Sequence, residues 1–332
     1  MLKVLHITNT YPHFKLSGDN KKELVPEGFY VHSQIKSLDM AALNQVYFIN
    51  GYYDKLNYLR AVFFVLMLNF SNKKKYDVIH AHYGISGLIA RLQIRYKLVI
   101  SFCGSDVLGA PTRSGSHSNI GKLVVLMSKV AHRFSACSIA KTKEMATILR
   151  GVPCRVIPNG VDFQKFKPIS KQMARTKLGL KTKKKIILFL GNKESIRKRY
   201  DLAESALKHL NRDSSKAILI AGYGNQHSTI PYLMNASDSL LVTSDWEGSI
   251  NVVKEAMACN LPIVSVDVGD VREVIGETDG CYVCQREVSD ISQKLGYSIN
   301  FGKTKGRENI SHLNSEVISE KILEIYEEAI SC

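Results

Sequence analysis

The sequence predicts an α/β protein made of two doubly wound, Rossmann-like domains facing an interdomain cleft. Three observations carry that expectation. Short apolar, β-branched runs alternate with helical stretches, a pattern that implies parallel strands with crossover helices on both sheet faces. The alternation breaks once, across a turn-rich and then basic stretch at about 157–185, and restarts beyond it. The chain also has 332 residues, more than one core usually serves.

In order, the first half offers strands at Lys3–Ile7, Val46–Ile49, Asp77–His80, Leu98–Phe102, Ser135–Ser138 and Arg155–Ile157. Helical stretches between them include Val31–Met40, Gly87–Gln93 and Lys141–Leu149. The second half offers strands at Ile186–Leu190, Ala217–Ala221, Ser239–Val242 and Pro262–Val266, with helices at Ala203–His209 and Asn251–Ala258. The segment Glu316–Ala329 repeats apolar residues at helical spacing and reads as a packing helix. The expected boundaries are 1–165, 166–312 and a C-terminal packing helix at 313–332.

Composition narrows the function. Hydrophobic residues make up 45% of the chain, normal for a buried core. The net charge of +15 favours anionic partners, but the basic groups are dispersed and lack interleaved aromatics, which argues against nucleic acid. Seven cysteines without a regular framework suit reduced thiols, and Cys281-Tyr-Val-Cys284 stands as a lone CxxC with no second ligand pair. The opening MLKVLHITNT lacks a signal-peptide layout, so a cytoplasmic location is expected. The apolar run Tyr58–Phe70, beside Arg60 and Lys73–Lys75, reads either as a membrane-surface helix on the inner face of the cell membrane or as a core helix.

The segment DWEGSINVVKEAMACNLP (245–262) concentrates the chemistry. It follows a strand and opens a helix near Ile250, and a helix start presents unpaired amides and a positive dipole end to anions. Gly248 allows close approach of an anion to the backbone. At roughly 1.5 Å per residue, Glu255 lies roughly 9 Å along from Ser249, about the reach from a diphosphate to a ribose. The bland alternative makes Ser249 a cap and Glu255 a solvated side chain.

Glu247-x7-Glu255, continuing as EAMACNLPIVSVDVGDVREVI (255–275), resembles the nucleotide-sugar site of family-4 retaining glycosyltransferases of GT-B architecture, and within them the teichuronic-acid and exopolysaccharide branch. VIPNGVD (156–162), YDVIHAHYGISG (76–87), VISFCGSDV (99–107), FLGNKESIRKRYDL (189–202) and AGYGN (221–225) agree in the family's order. The resemblance implies an N-terminal acceptor domain and a C-terminal donor domain. Lys198 and the loop after Gly191, with Asn192 and Arg197, would hold the donor's diphosphate, helped by the amides of Gly248, Ser249, Ile250, Asn251 and Val252. Gly222 would line the same site, Glu255 would bind ribose, and Glu247 would face the donor sugar. Glu247, Lys198 and Asp106 are the candidate catalytic residues; Gly18, Gly28, His82 and Cys103 are candidates for the acceptor side.

The chain departs from the family pattern at Asn192, where arginine is usual, and at Cys103, where histidine is usual. No cofactor is implied beyond a UDP- or GDP-sugar substrate. No metal is expected either, because His80 and His82 show no third ligand in the sequence. The implied acceptor is a saccharide, carried on a lipid in surface-polysaccharide assembly. Two other classes stand beside this one. A partner subunit could keep the fold and bind donor without turnover. A dinucleotide oxidoreductase is disfavoured, since Gly222-x-Gly224 is followed by His227 where the fingerprint needs glycine.

Overall fold

The computed structural model describes residues 1–16, 22–25, 28–50, 54–109, 119–213 and 217–331. The chain divides into two compact units: Met1–Gly160 with Ser315–Cys332, and Val161–Asn314.

The first unit contains β1 (Leu2–Thr8), the short antiparallel pair β2 (His13–Leu16) and β3 (Lys22–Val25), α1 (Phe29–Leu38), β4 (Ala42–Phe48) and α2 (Leu56–Met67). It continues with β5 (Val78–His82), α3 (Gly84–Ala90), β6 (Lys97–Ser101), α4 (Ser105–Leu108), α5 (Asn119–Arg133), β7 (Cys137–Ala140), α6 (Lys143–Ile148) and β8 (Cys154–Val156). Six strands form one all-parallel sheet in the order β4-β1-β5-β6-β7-β8. The order reverses between β1 and β5.

The two faces of this sheet differ in chemistry because side chains alternate along each strand. Leu5, Ile7, Ile79, Ala81, Leu98 and Ile100 join Ala61 and Val65 of α2, Ile89 and Ala90 of α3, and Ala131 of α5 in one apolar core. The opposite face carries His6, Thr8, His80, His82 and Ser101, all buried. The last helix of the chain, α14 (Ser315–Ser331), returns to this face: it packs on α1, β5 and β6, buries Tyr326 completely, and pairs Ser319 with Ser37.

The second unit holds α7 (Lys171–Lys177), β9 (Lys185–Phe189), α8 (Tyr200–Leu210), β10 (Ala217–Ala221), α9 (Ile230–Ala236), β11 (Ser239–Val242) and α10 (Asn251–Ala258). It closes with β12 (Ile263–Val266), α11 (Val271–Ile275), β13 (Cys281–Cys284), α12 (Val288–Phe301) and α13 (Gly306–Asn309). Its parallel sheet runs β10-β9-β11-β12-β13 and reverses between β9 and β11. In open α/β sheets that reversal point, outside the carboxyl ends of the strands, is where ligands bind.

Several segments differ from expectation. The lone CxxC is an edge strand, and burial pushes the thiols of Cys281 and Cys284 up to about 12, so neither is a thiolate at neutral pH. Strands β2 and β3 pair antiparallel in a stretch where the sequence suggested no strand. Helix α2 is neither wholly buried nor wholly free. Ala61 and Val65 face the core, while Leu59 and Phe63 lie outward. Among the described residues, no helix is long and apolar enough to cross a membrane.

Candidate active site

The reversal point of the second sheet brings together the two loops that the sequence singled out. One leaves β9 and runs through Gly191 and Asn192 to a 3₁₀ turn at Ile196–Lys198; the other leaves β11 and leads into α10. They are laced to each other. The Thr243 hydroxyl bonds the carbonyls of Lys198 and Arg199, each at 2.9 Å, and the Asp245 amide donates to the Arg197 carbonyl at 2.8 Å. Arg286, which the sequence did not suggest, ties the second loop down by donating to the carbonyls of Ser244 and Asp245.

Glu247 sits at the junction. Its carboxylate meets Arg197 at 2.7 Å and Lys198 at 2.5 Å, with its side chain only 14% exposed. Burial pushes this carboxyl up, but the two cations together outweigh burial and hold it below the usual carboxylate range. Arg197 also stacks on the Trp246 ring at 4.8 Å and donates to the Trp246 carbonyl. Gly191 lies against the Lys198 stem, where an added Cβ would stand 3.0 Å from Lys198 Cβ. Asn192 folds its own loop, its side-chain oxygen accepting the Glu194 amide. Gly222 bonds the Phe189 carbonyl at the end of β10, close to Leu190.

Helix α10 begins as the sequence suggested, with Ile250 at its cap position and Asn251 and Val252 in its first turn. Ser249 is not the cap. Its hydroxyl donates to Asp270 at 2.7 Å, and the Ile250 amide donates to the same carboxylate at 2.8 Å. Of the amides expected to grip a diphosphate, that of Ile250 is therefore spent on the protein's own acid. Lys254, on α10, meets Asp270 at 2.9 Å with both side chains almost fully buried. Burial pulls this ammonium below its usual value and the Asp270 carboxylate only partly restores it. Gly269 enables the clamp: its φ of +55° and its position against the Gly248 carbonyl, 2.1 Å from where a Cβ would be, admit no side chain. Farther along α10, Glu255 faces His227 at 3.7 Å, with its side chain 18% exposed.

The other candidates lie in the first unit. Gly18 falls outside the described residues. Gly28 opens α1 at φ +78°, packed so closely on Thr10 and Tyr11 that a Cβ would sit 2.6 Å from their backbone. Asp106 is fully buried and accepts the amides of Cys103, Gly104 and Gly84 at 2.8–3.2 Å. Burial raises its carboxyl to about 6 against the pull of those amides. Its oxygens hold two loops together. Asp106→Ala should orphan three buried donors and lower the stability of this unit by roughly 3 kcal/mol, read from thermal denaturation. Cys103 is a thiol, pushed to about 12 by burial. Tyr83, beside it, holds a strained φ of 81°, a feature common at functional loops.

His82 belongs to a cluster that the sequence missed. His6 of β1 lies in register with His80 of β5, so three imidazoles converge on one face. Such a trio could ligate a metal, but five of its six ring nitrogens make hydrogen bonds to each other or to neighbouring side chains. His6 bonds His82 at 3.1 Å and Asn44 at 3.0 Å, while His80 bonds Tyr326 at 2.6 Å and Ser101 at 2.8 Å. Burial lowers all three, His6 to about 4, so they form a neutral hydrogen-bonded layer.

Residues 23–165 match the family described as Glycosyltransferase Family 4, and residues 200–300 match Glycosyl transferases group 1. Both halves of the chain thus match glycosyltransferase families. It is 23% identical over 296 residues to N-acetyl-alpha-D-glucosaminyl L-malate synthase of Bacillus anthracis, covering 79% of this chain and 76% of that one. To the putative teichuronic acid biosynthesis glycosyltransferase TuaC of Bacillus subtilis it is 29% identical over 225 residues, 60% of this chain and 56% of that one. A UDP-Gal:alpha-D-GlcNAc-diphosphoundecaprenol alpha-1,3-galactosyltransferase of Escherichia coli is 28% identical over 66% of this glycosyltransferase and 64% of its own length. Thus the chain spans under two thirds of the latter two relatives. Among solved structures, sucrose-phosphate synthase of Thermosynechococcus elongatus superposes with a TM-score of 0.75 at 16% identity over the whole of both chains. Anabaena Alr3699/HepE in complex with UDP-glucose gives 0.67 at 17% identity over 98% of this chain and 100% of that one. These likenesses establish the GT-B fold.

Proposed function

We propose that this glycosyltransferase moves a sugar from a nucleoside-diphosphate donor to a lipid-linked saccharide acceptor in cell-surface polysaccharide assembly, with retention of anomeric configuration. The observation that carries this reading is Glu247 held between Arg197 and Lys198 at the reversal point of the second sheet, beside the start of α10. A departing nucleoside diphosphate gathers negative charge, and two fixed cations with oriented amides stabilise it there without a bound metal. As the diphosphate engages Arg197 and Lys198, the Glu247 carboxylate is released to accept from hydroxyls of the donor sugar. Glu255, one helical run farther on, accepts from the ribose. Retention follows if the donor's own diphosphate guides the acceptor to the face it leaves, which asks no nucleophile of the protein. The Escherichia coli relative, named for a UDP-galactose donor and a diphosphoundecaprenol-linked acceptor, supports the donor and acceptor classes.

Calorimetry with UDP- and GDP-sugars tests the site. Lys198→Ala and Glu255→Ala should each weaken donor binding by roughly a hundredfold, since each removes charge-assisted bonds worth roughly 3 kcal/mol. Undiminished binding in both variants would defeat the assignment. Release of free nucleoside diphosphate separates an active enzyme from a binding-only subunit.

A further inference from the structure

The two cations assigned to the donor's diphosphate already hold an anion of the protein's own. Glu247 meets Arg197 at 2.7 Å and Lys198 at 2.5 Å, with one carboxylate oxygen on each. A nucleotide therefore reaches this pair only by displacing the carboxylate, and the fate of the carboxylate decides what binds. Displacement leaves the cations in place. Arg197 stays on the Trp246 ring and carbonyl, and Thr243 holds the backbone carbonyls of Lys198 and Arg199. The chain on either side of Glu247 is pinned as well. Arg286 donates to the Asp245 carbonyl, and the Asp270 amide donates to the Gly248 carbonyl at 3.2 Å. What can move is the Glu247 side chain itself. That side chain is 14% exposed, and a buried carboxylate taken off its partners is costly until new donors reach it. The hydroxyls of a sugar carried on the diphosphate are such donors; a nucleoside diphosphate without its sugar has none to offer there.

Charge gives the distinction its weight. At neutral pH a nucleoside diphosphate carries about one more negative charge than its sugar ester, because its terminal phosphate loses a second proton near pH 6. Two cations by themselves would thus hold the product more tightly than the donor, and the product would block the site. We infer that Glu247 is a specificity-determining residue that reverses this order. It competes with free nucleoside diphosphate for Arg197 and Lys198, and it yields to a donor whose sugar receives it. Once transfer has removed the sugar, the carboxylate returns to its cations and helps to expel the diphosphate. This role rests on the donor site proposed above and adds to it a preference for substrate over product.

Calorimetry on the full-length protein tests it. Inorganic pyrophosphate is one probe, since it needs no base; UDP against UDP-glucose and GDP against GDP-mannose are the others. Glu247→Gln keeps the size of the side chain and removes its charge. This variant should bind pyrophosphate and the free nucleoside diphosphate about tenfold more tightly than the parent does. The nucleotide sugar should gain nothing or weaken, so the preference for donor over product falls about tenfold or more. A gain of affinity cannot come from a damaged fold. Unchanged or weaker binding of pyrophosphate and free diphosphate by Glu247→Gln would overturn the inference. So would an equal gain for diphosphate and nucleotide sugar, because Glu247 would then obstruct both alike. Lys198→Ala separates this failure from failure of the site. If Lys198→Ala loses binding while Glu247→Gln gains none, the inference alone falls. Undiminished binding by Lys198→Ala, or a parent that binds none of the probes, would remove the donor site and the inference with it.

Discussion

Lys254→Met is expected to destabilise the second unit by roughly 3–5 kcal/mol, among the larger losses a single substitution causes. The Lys254 ammonium and the Asp270 carboxylate are both almost fully buried, and each is the other's only neutralising partner of opposite charge among the described contacts. Methionine fills the volume but leaves Asp270 charged, dehydrated and bound only to Ser249 and the Ile250 amide. The double variant Lys254→Met with Asp270→Asn should recover much of the loss, because the introduced side-chain amide is uncharged, its oxygen can accept the Ile250 amide, and its NH2 can donate to the Ser249 hydroxyl. Urea denaturation of the three proteins reads this directly. A single variant as stable as the parent would mean that the pair is not energetically coupled to folding. Donor affinity should follow the same order, since Asp270 fixes the approach of the α10 start to the 268–270 loop.

Acid should unfold the first unit by an identifiable route. An unfolded histidine takes up its proton near pH 6.5, whereas His6 in the folded chain resists until about 4. The folded pKa is depressed, so this stability is complete above about pH 6.5 and is lost progressively as pH falls toward 4. For His6 alone the loss approaches roughly 3 kcal/mol across that window, and His80 and His82 are shifted in the same direction. Asp106 pulls the other way: raised to about 6, it takes its proton first in the folded state and returns about as much as one histidine removes. Three groups against one leave a net loss. Denaturation midpoints at pH 7.5, 6 and 5 should therefore fall together, and His6→Gln, which keeps a donor for Asn44 and an acceptor for His82, should flatten the profile. A midpoint flat in the parent from pH 7.5 to 5 would refute the neutral-imidazole account.

The sequence carried the fold further than the site. Strands such as Ile186–Phe189 and Leu240–Val242 are continuous β-branched or leucine runs bounded by polar turns, and buried parallel strands are easily read in that form. Helix α5 was not read from the sequence although its apolar residues recur at helical spacing, and periodicity alone does not say that such a row faces outward. Strand β13 hid behind its two cysteines, which invite a chemical reading when their role is to fill an edge. In the site, a known motif singled out Glu247, Lys198 and Arg197, and the structure brings these three side chains together. What was missed arrives from elsewhere in space. His6 reaches His80 across strand pairing, Asp270 reaches α10 from the next loop, and Arg286 reaches Ser244 from beyond β13. Asp106 has a further part that the sequence did not suggest: its carboxylate accepts three backbone amides and tethers their loops.

The return of α14 to the first sheet constrains biosynthesis. Tyr326 completes the hydrogen bonding of His80, and Ser319 completes that of Ser37, so synthesis must pass α14 before this half can mature. Residues 161–314, a contiguous stretch, are free to reach their native state first. Emergence from the exit tunnel and order of folding thus run in opposite directions, and the nascent N-terminal half, with its histidine face uncovered, is the interval in which chaperones have a substrate.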